Sequence, residues 1–181
     1  EVTVIRDIVF WGWAEIVQVN STTQVEALIR SDSGLGGASA TKDWRLGAWS
    51  GTMGFPQVAT FHNERLTWGA SNGAPQTLWF SKSADFTNFS PSEVDGTVNP
   101  DDGINITLAT SQVNFIRWLS SINSGLAVGT SGAEFLVKSA ATTEPLSPNS
   151  IEATRQTNRG SAAFVPVERV GLSTIFVQRG N

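Results

Sequence analysis

Residues 58–108 read VATFHNERLTWGASNGAPQTLWFSKSADFTNFSPSEVDGTVNPDDGINITL, a series of short apolar stretches separated by turn residues. Strand-like stretches lie at 58–61, 66–69, 77–81 and 104–108, and the pair Ser90 and Pro91 precedes the last of them. Alternating apolar and polar residues bounded by Gly, Pro, Asn and Asp are typical of β-strands. The segment therefore predicts one sheet of about four short strands.

The same order of features recurs further along the chain. The two Ser-Pro pairs begin at Ser90 and Ser147, 147 − 90 = 57 residues apart, while Ile104 and Ile151 are 151 − 104 = 47 residues apart. Periods of roughly 40–50 residues that carry about four strands each are typical of the blades of β-propellers. The strand-like stretches of this second repeat are 115–118, 126–130, 134–138 and 151–155.

A third repeat begins near the end of the sequence, with strand-like stretches at 163–167 and 173–177. About two and a half blades cannot close a ring, because each blade needs neighbours on both faces. Glu1 also stands where an initiator Met would be. We therefore expect an all-β chain that is an internal piece of a longer protein, with a small β-module at 1–52 and a partial β-propeller at 53–181.

The first fifty residues or so lack the repeat and predict the small β-module. A strand at 12–19 and a returning strand at 24–29 predict a hairpin. A loop of small residues follows at 31–42, and 42–49 predicts a further strand with two tryptophans. The glycine-containing stretch 50–54 then interrupts the pattern, which places the module boundary there.

Composition excludes several classes of function. The net charge is −4 and the arginines are scattered, which argues against tight binding of nucleic acid. The sequence contains no Cys, so it has no disulfides, thiolate zinc ligands or thiol nucleophile. No apolar run approaches the roughly 20 residues that a transmembrane helix needs. We expect no membrane span and no cofactor.

An acidic loop and a lone histidine are the first candidates for chemistry. A calcium loop starting at Asp95 would need Gly at its sixth position and Glu at its twelfth, which here are Pro100 and Ile106. A solvated loop is the preferred interpretation. His62 lies in a predicted turn without partner ligands, which predicts a surface residue. The acidic residues of the loop are Glu93, Asp95, Asp101 and Asp102.

Carboxylates and tryptophans offer two further possibilities. Paired acids could cleave glycans, but the candidates lie on different repeats, and the sequence does not bring any two together. Most of the seven tryptophans are predicted to pack in the core. Trp11 and Trp13, which share one strand face, are the candidates for stacking on a ligand. The carboxylates considered are Glu64, Asp85, Glu134 and Glu152.

Residues 81–89 (SKSADFTNF) resemble the Asp-box turn of sialidases, which connects propeller strands. The chain contains no Tyr, and sialidases use Tyr as their nucleophile. This resemblance therefore favours the fold and not the activity.

Ten further stretches occur in an order and spacing that point to one family. They are WRLGAWS (44–50), GFPQV (54–58), RL with WG (65–69), PQTLWFS (75–81), DFTNF (85–89), IRWL (116–119), LAVGTSGAE (126–134), QT with GS (156–161), PV (166–167) and FVQRG (176–180). From residue 44 onward the chain resembles the tail nozzle proteins of short-tailed bacteriophages, which include tail tubular protein B and packaged-DNA stabilisation proteins. The hairpin at 12–29 is also similar.

The resemblance implies a virion structural protein of the phage tail and not an enzyme. Family members combine a propeller with small β-domains and form a six-fold ring below the portal and adaptor rings. That ring lines the channel that retains and ejects double-stranded DNA, and it seats tail fibres or spikes. The family has no catalytic, cofactor-binding or metal-binding residues to transfer. A glycan-binding or glycan-cleaving propeller module acting at the host surface remains the alternative.

Overall fold

The computed structural model describes residues 2–7, 10–30, 34, 42, 44–93, 95–141 and 144–180. Regular secondary structure in these residues consists of strands, and they contain no helix that is long and apolar enough to cross a membrane. The strands are β1 (Val2–Asp7), β2 (Phe10–Ser21), β3 (Gln24–Ile29), β4 (Trp44–Leu46), β5 (Val58–His62), β6 (Arg65–Gly69), β7 (Thr77–Phe80), β8 (Ile104–Thr107), β9 (Ile116–Ile122), β10 (Gly125–Thr130), β11 (Glu134–Ser139), β12 (Ile151–Thr157), β13 (Glu168–Val170) and β14 (Ser173–Ile175). The prediction of an all-β protein is confirmed.

The chain divides into two compact units. One comprises Glu1–Phe55 with Ser92–Val98, and the other comprises Pro56–Pro91 with Asn99–Asn181. The second unit contains the strands of the predicted repeats, while residues 92–98 of the first repeat belong to the first unit.

The first unit contains one antiparallel sheet in the order β3-β2-β1-β4. The predicted hairpin is present as β2 and β3, joined by a turn at 22–23, although β2 is longer than predicted and carries register shifts. Of the strand predicted at 42–49, the structure shows only the short strand β4, Trp44–Leu46. The loop of small residues at 31–42 lies mostly outside the described residues.

The second unit contains two four-stranded antiparallel sheets of the same topology, β5-β6-β7-β8 and β9-β10-β11-β12. Each is a meander in which consecutive strands pair. Both Ser-Pro pairs lie between the third and fourth strands of their sheet, so they are equivalent positions. The loop from Ser90 to Ile104 covers 104 − 90 = 14 residues, whereas the loop from Ser147 to Ile151 covers 151 − 147 = 4 residues. This difference of ten residues explains why the two Ser-Pro pairs are 57 residues apart but Ile104 and Ile151 only 47.

One apolar core spans both of these sheets. The strands β7, β10 and β11 supply six of its thirteen residues, and β7 and β10 are buried along nearly their whole length. The two sheets approach most closely through their first strands, β5 and β9. The core residues are Ala70, Leu78, Phe80, Ile104, Leu108, Ile116, Leu119, Leu126, Val128, Ala133, Phe135, Val137 and Leu146.

The third repeat is a two-stranded hairpin, β13-β14. The strand predicted at 163–167 is absent, which corrects the sequence-based prediction. Phe164 has φ of 62° and is fully exposed, and Pro166 offers no backbone N–H for pairing. A strand begins only at Glu168, after this turn.

Candidate functional site

A cavity of about 430 Å³ opens at one end of the second unit. Two strand turns and the end of β11 supply its lining. The β5–β6 turn is tight because Asn63 and Glu64 have φ of 47° and 57°, the backbone of a type I′ hairpin. The lining carries several polar groups, among them those of His62, Asn63, Asn123, Ser124, Lys138 and Glu144.

His62 is the titratable group held most firmly at this cavity. The residue is only 6% exposed, and its Nδ1 lies 2.8 Å from Oγ of Ser121 on β9. Burial lowers the pKa of His62 below its ordinary value of 6.5, which favours the neutral ring at pH 7. The prediction of a surface turn residue was therefore wrong. His62 follows Val58 and Thr60 on the inward face of β5, whereas the apolar Phe61 beside it is exposed.

Arg65 lies directly across the β5–β6 turn from His62 and is almost completely buried, with 1% exposure. Its Nη1 donates to the carbonyl oxygens of Ser81 and Asp102, each at 2.6 Å. Its Nη2 donates to the carbonyl oxygen of Pro100 at 2.8 Å. Burial lowers the pKa of Arg65, and two nearby carboxylates act in the opposite direction. The guanidinium thus ties the loop before β8 to the middle of the first repeat.

The acidic loop is not a uniformly solvated segment, which corrects the sequence-based interpretation. Asp102 is fully buried, and its Oδ1 forms an ion pair with Nζ of Lys82 at 2.7 Å. Its Oδ2 accepts the backbone N–H of Asn99 at 2.6 Å. Asp95 is exposed, and hydrogen bonding from Thr97 lowers its pKa. In the described part of the chain, no three or more His, Asp or Glu residues group as metal ligands would.

A second, smaller cavity of about 220 Å³ lies beside a buried polar chain. Nε1–H of Trp118 donates to Oγ of Ser161 at 2.9 Å, and Ser161 donates to Oε1 of Glu134 at 3.1 Å. The hydroxyl of Thr157 donates to the other oxygen of Glu134. The Trp118 ring also contacts Phe176, with centroids 5.4 Å apart. This chain fixes the segment after β12 against the second sheet.

Two of the three remaining candidate carboxylates have a partner of a structural kind. Asp85 Oδ1 accepts the hydroxyl of Thr87, two residues along the chain, at 3.1 Å, a contact typical of Asp in turns. Glu152 pairs with Lys138 across β11 and β12 at 3.4 Å. Glu64 lies in the β5–β6 turn.

The tryptophans divide between core and surface. Trp79 and Trp118 are buried, as predicted, and Trp49 and Trp68 are partly buried. Trp13 is 44% exposed and Trp44 is 58% exposed. The side chain of Trp11 lies outside the described residues, so its predicted role as a stacking residue stays a prediction.

A scan against known family models and a search of curated proteins both return no match to this chain. The functional interpretation therefore rests on the residues themselves, on the resemblance noted above and on the geometry of the second unit.

Proposed function

We propose that this chain is a structural part of the tail nozzle of a short-tailed bacteriophage. In this proposal the protein belongs to the virion and helps to form the wall of the channel through which double-stranded DNA is held and ejected. Ten sequence stretches in family order support the proposal, and they extend over both predicted modules.

The observation that carries the proposal is the pair of successive four-stranded meanders in the second unit. Stacked sheets normally lie about 10 Å apart over their whole faces. Here the close backbone approaches between the two sheets fall mainly between β5 and β9, so the sheets converge toward their first strands. Convergence of this kind is what propeller blades show as they approach a common axis. It supports the interpretation of β5–β8 and β9–β12 as neighbouring blades.

The polar interior of the second unit suits a rigid wall. The guanidinium of Arg65 and the carboxylate of Glu134 are buried and bonded within the protein. A net charge of −4 disfavours retention of passing DNA, because adsorption of DNA depends on cationic groups that release counterions. In the complete ring, the proposed partners are the portal and adaptor rings, further copies in six-fold symmetry, and tail fibres or spikes.

The proposal is tested by locating the protein in purified phage particles. We expect mass spectrometry of isolated tails to detect peptides from both units at the level of other ring proteins, and empty heads without tails to lack them. Antibody labelling should mark the point where the tail joins the head. Absence from tails, or a position confined to fibre tips, would contradict the proposal.

A separate experiment tests the idea of a non-adhesive wall. Mixed with duplex DNA at about 0.15 M ionic strength, the protein should show no tight, salt-sensitive complex. A tight complex whose affinity falls steeply with added salt would contradict this part of the proposal.

A glycan-binding module at the host surface is the second candidate, and the half-exposed ring of Trp13 favours it. The sheet register places Trp13 and Arg45 on one face of the sheet and Trp44 on the other, so Trp13 and Trp44 cannot share a stacking platform. Glycan-array binding that is lost in Trp13→Ala and kept in Trp44→Ala would support this candidate. A blank array would dismiss it.

A further inference from the structure

The sheet of the first unit has two open edges. Its strand order is β3-β2-β1-β4, and in the described part of the chain no fifth strand pairs with the outer side of β3 or of β4. All six residues of β3 and all three residues of β4 are exposed. The extra residues at the two register shifts, Val17 and Asn20, lie in β2, so β3 itself runs without a bulge. A regular, exposed edge strand readily accepts a further strand.

The two open edges run in opposite directions. β1 pairs antiparallel with β2, β2 pairs antiparallel with β3, and β4 pairs antiparallel with β1. β1 and β3 therefore run one way, while β2 and β4 run the other way. If β4 of a second copy lay beside β3, the antiparallel alternation would continue from one sheet into the next, and the two sheets would keep the same face on the same side.

We propose that β3 of one copy pairs with β4 of another copy, so that the two sheets join into one continuous antiparallel sheet. The inference goes beyond the proposed function, because it follows from the sheet alone and holds wherever the protein acts. The pairing joins two different edges, so each copy binds two neighbours. Repetition of such a contact generates a ring or a filament.

Charge selects the register of this pairing. Glu26 and Arg45 lie on the same face of the sheet, the face that also carries Trp13. Directly opposite residues share a face, so Glu26 can lie opposite Arg45 of the next copy, and an opposite-charge pair at this position is stabilising. A shift by two residues would put Leu28 opposite Arg45, and a shift by four would put Arg30 there, which is a like-charge pair.

The same register pairs apolar residues on the other face. Trp44 then lies opposite Ala27, which places a large ring beside a small side chain, and Leu46 lies opposite Val25. Trp44 is 58% exposed, Val25 is 47% exposed and Leu46 is 38% exposed in the single chain. Pairing of the two edges therefore removes apolar surface from water on one face while it joins opposite charges on the other.

Pairing of each edge with itself fits the charges less well. Two antiparallel β4 strands centred on Arg45 would place this residue opposite its own copy, which is destabilising. Two β3 strands centred on Leu28 would place Glu26 opposite Arg30, but the Nε and Nη2 atoms of Arg30 already donate to Glu15. That arrangement would also leave both β4 edges open. The mixed pairing is the one that uses both edges.

The first test is sedimentation velocity of the whole chain from micromolar to millimolar concentration. We expect weak, concentration-dependent association, because β4 contributes only three residues to the contact. Glu26→Arg and Arg45→Glu should each weaken association by about two- to thirtyfold, and the double variant should restore it. Glu168→Arg makes the same charge change at an exposed position of the second unit and should have little effect.

Two outcomes of this test would overturn the proposal. One is a monomer over the whole concentration range. The other is weakening by Glu26→Arg that Arg45→Glu neither reproduces nor repairs, because this is the behaviour of β3 paired with itself.

The second test uses the absence of Cys from the sequence, which makes introduced thiols unambiguous. Opposite residues of paired strands bring their Cβ atoms close to the separation of a disulfide. A mixture of Val25→Cys and Leu46→Cys should therefore form disulfide-linked dimers on mild oxidation, faster than either variant alone. Phe164→Cys, at a fully exposed position, replaces Leu46→Cys as the control for random collision. Cross-linking of the mixture no faster than this control, or faster cross-linking of Val25→Cys with itself, would overturn the proposal.

Discussion

Replacement of the buried Arg65 by Met is the sharpest stability test that the structure offers. Met matches much of the length of the Arg side chain and removes every donor. The carbonyl oxygens of Ser81, Pro100 and Asp102 then lose their closest side-chain donor, at present 2.6–2.8 Å away. The nearby carboxylate of Asp102 also loses a neighbouring cation.

The magnitude follows from these losses. A buried group that loses its hydrogen-bond partner costs about 1–3 kcal/mol, and water entering the space recovers part of that. Removing the charge of Arg65 also ends the cost of burying it, which offsets a further part. We expect Arg65→Met to lower the free energy of unfolding by about 2–4 kcal/mol, because three carbonyl oxygens each lose a donor and part of that loss is recovered.

The assay is urea denaturation followed by tryptophan fluorescence. Arg155→Met is the matched control, because Arg155 is exposed on β12, and its change should lie within about 0.5 kcal/mol of zero. Arg65→Lys keeps the charge without the planar fork and should fall between the two. A loss below about 1 kcal/mol in Arg65→Met would refute the reasoning, because it would mean that the carbonyl oxygens are satisfied without the guanidinium.

Two further predictions each compare a pair of matched substitutions. Thr67 is fully buried, and its hydroxyl has no hydrogen-bond partner among the described residues, so Thr67→Val should raise stability by about 1 kcal/mol or more in denaturant unfolding. Thr130 is equally buried but bonds to the Ala133 backbone, so Thr130→Val should lower stability by about 1–3 kcal/mol; equal effects of the two changes would contradict the assignment. A Cβ at Gly129 would overlap the indole ring of Trp118, so Gly129→Ala should lower the melting temperature. Gly51 has open space around it, so Gly51→Ala is the control and should leave the melting temperature unchanged. An unchanged melting temperature in both variants would contradict the prediction, because it would show that the indole moves aside freely.

The strand order of the second unit was predictable because its signals are local. Short apolar stretches such as 58–61 and 126–130, and turn residues such as Asn63, mark strands and hairpins without reference to the rest of the fold. The third repeat was placed too early because the apolar residues at 163–167 look like a strand. There the turn at Phe164 overrides the apolar pattern.

The buried polar groups were not predictable in the same way. The partners of Arg65 include backbone oxygens 35 to 37 residues further along the chain, and a carbonyl group leaves no mark in a sequence. Burial of Asp102 depends on the fold of a loop whose composition reads as solvated. For His62, the partner Ser121 is 59 residues away, and the apolar Phe61 beside it is exposed, so the local pattern did not predict its burial.

The most direct test of the account is a cryo-electron microscopy reconstruction of the phage tail in which we propose that this protein lies. The account predicts β5–β8 and β9–β12 as adjacent sheets that converge on one axis through β5 and β9, in a ring below the portal that surrounds the DNA channel. Density in which these sheets lie at uniform spacing in a closed sandwich, or in which the protein occupies no part of the channel wall, would contradict it.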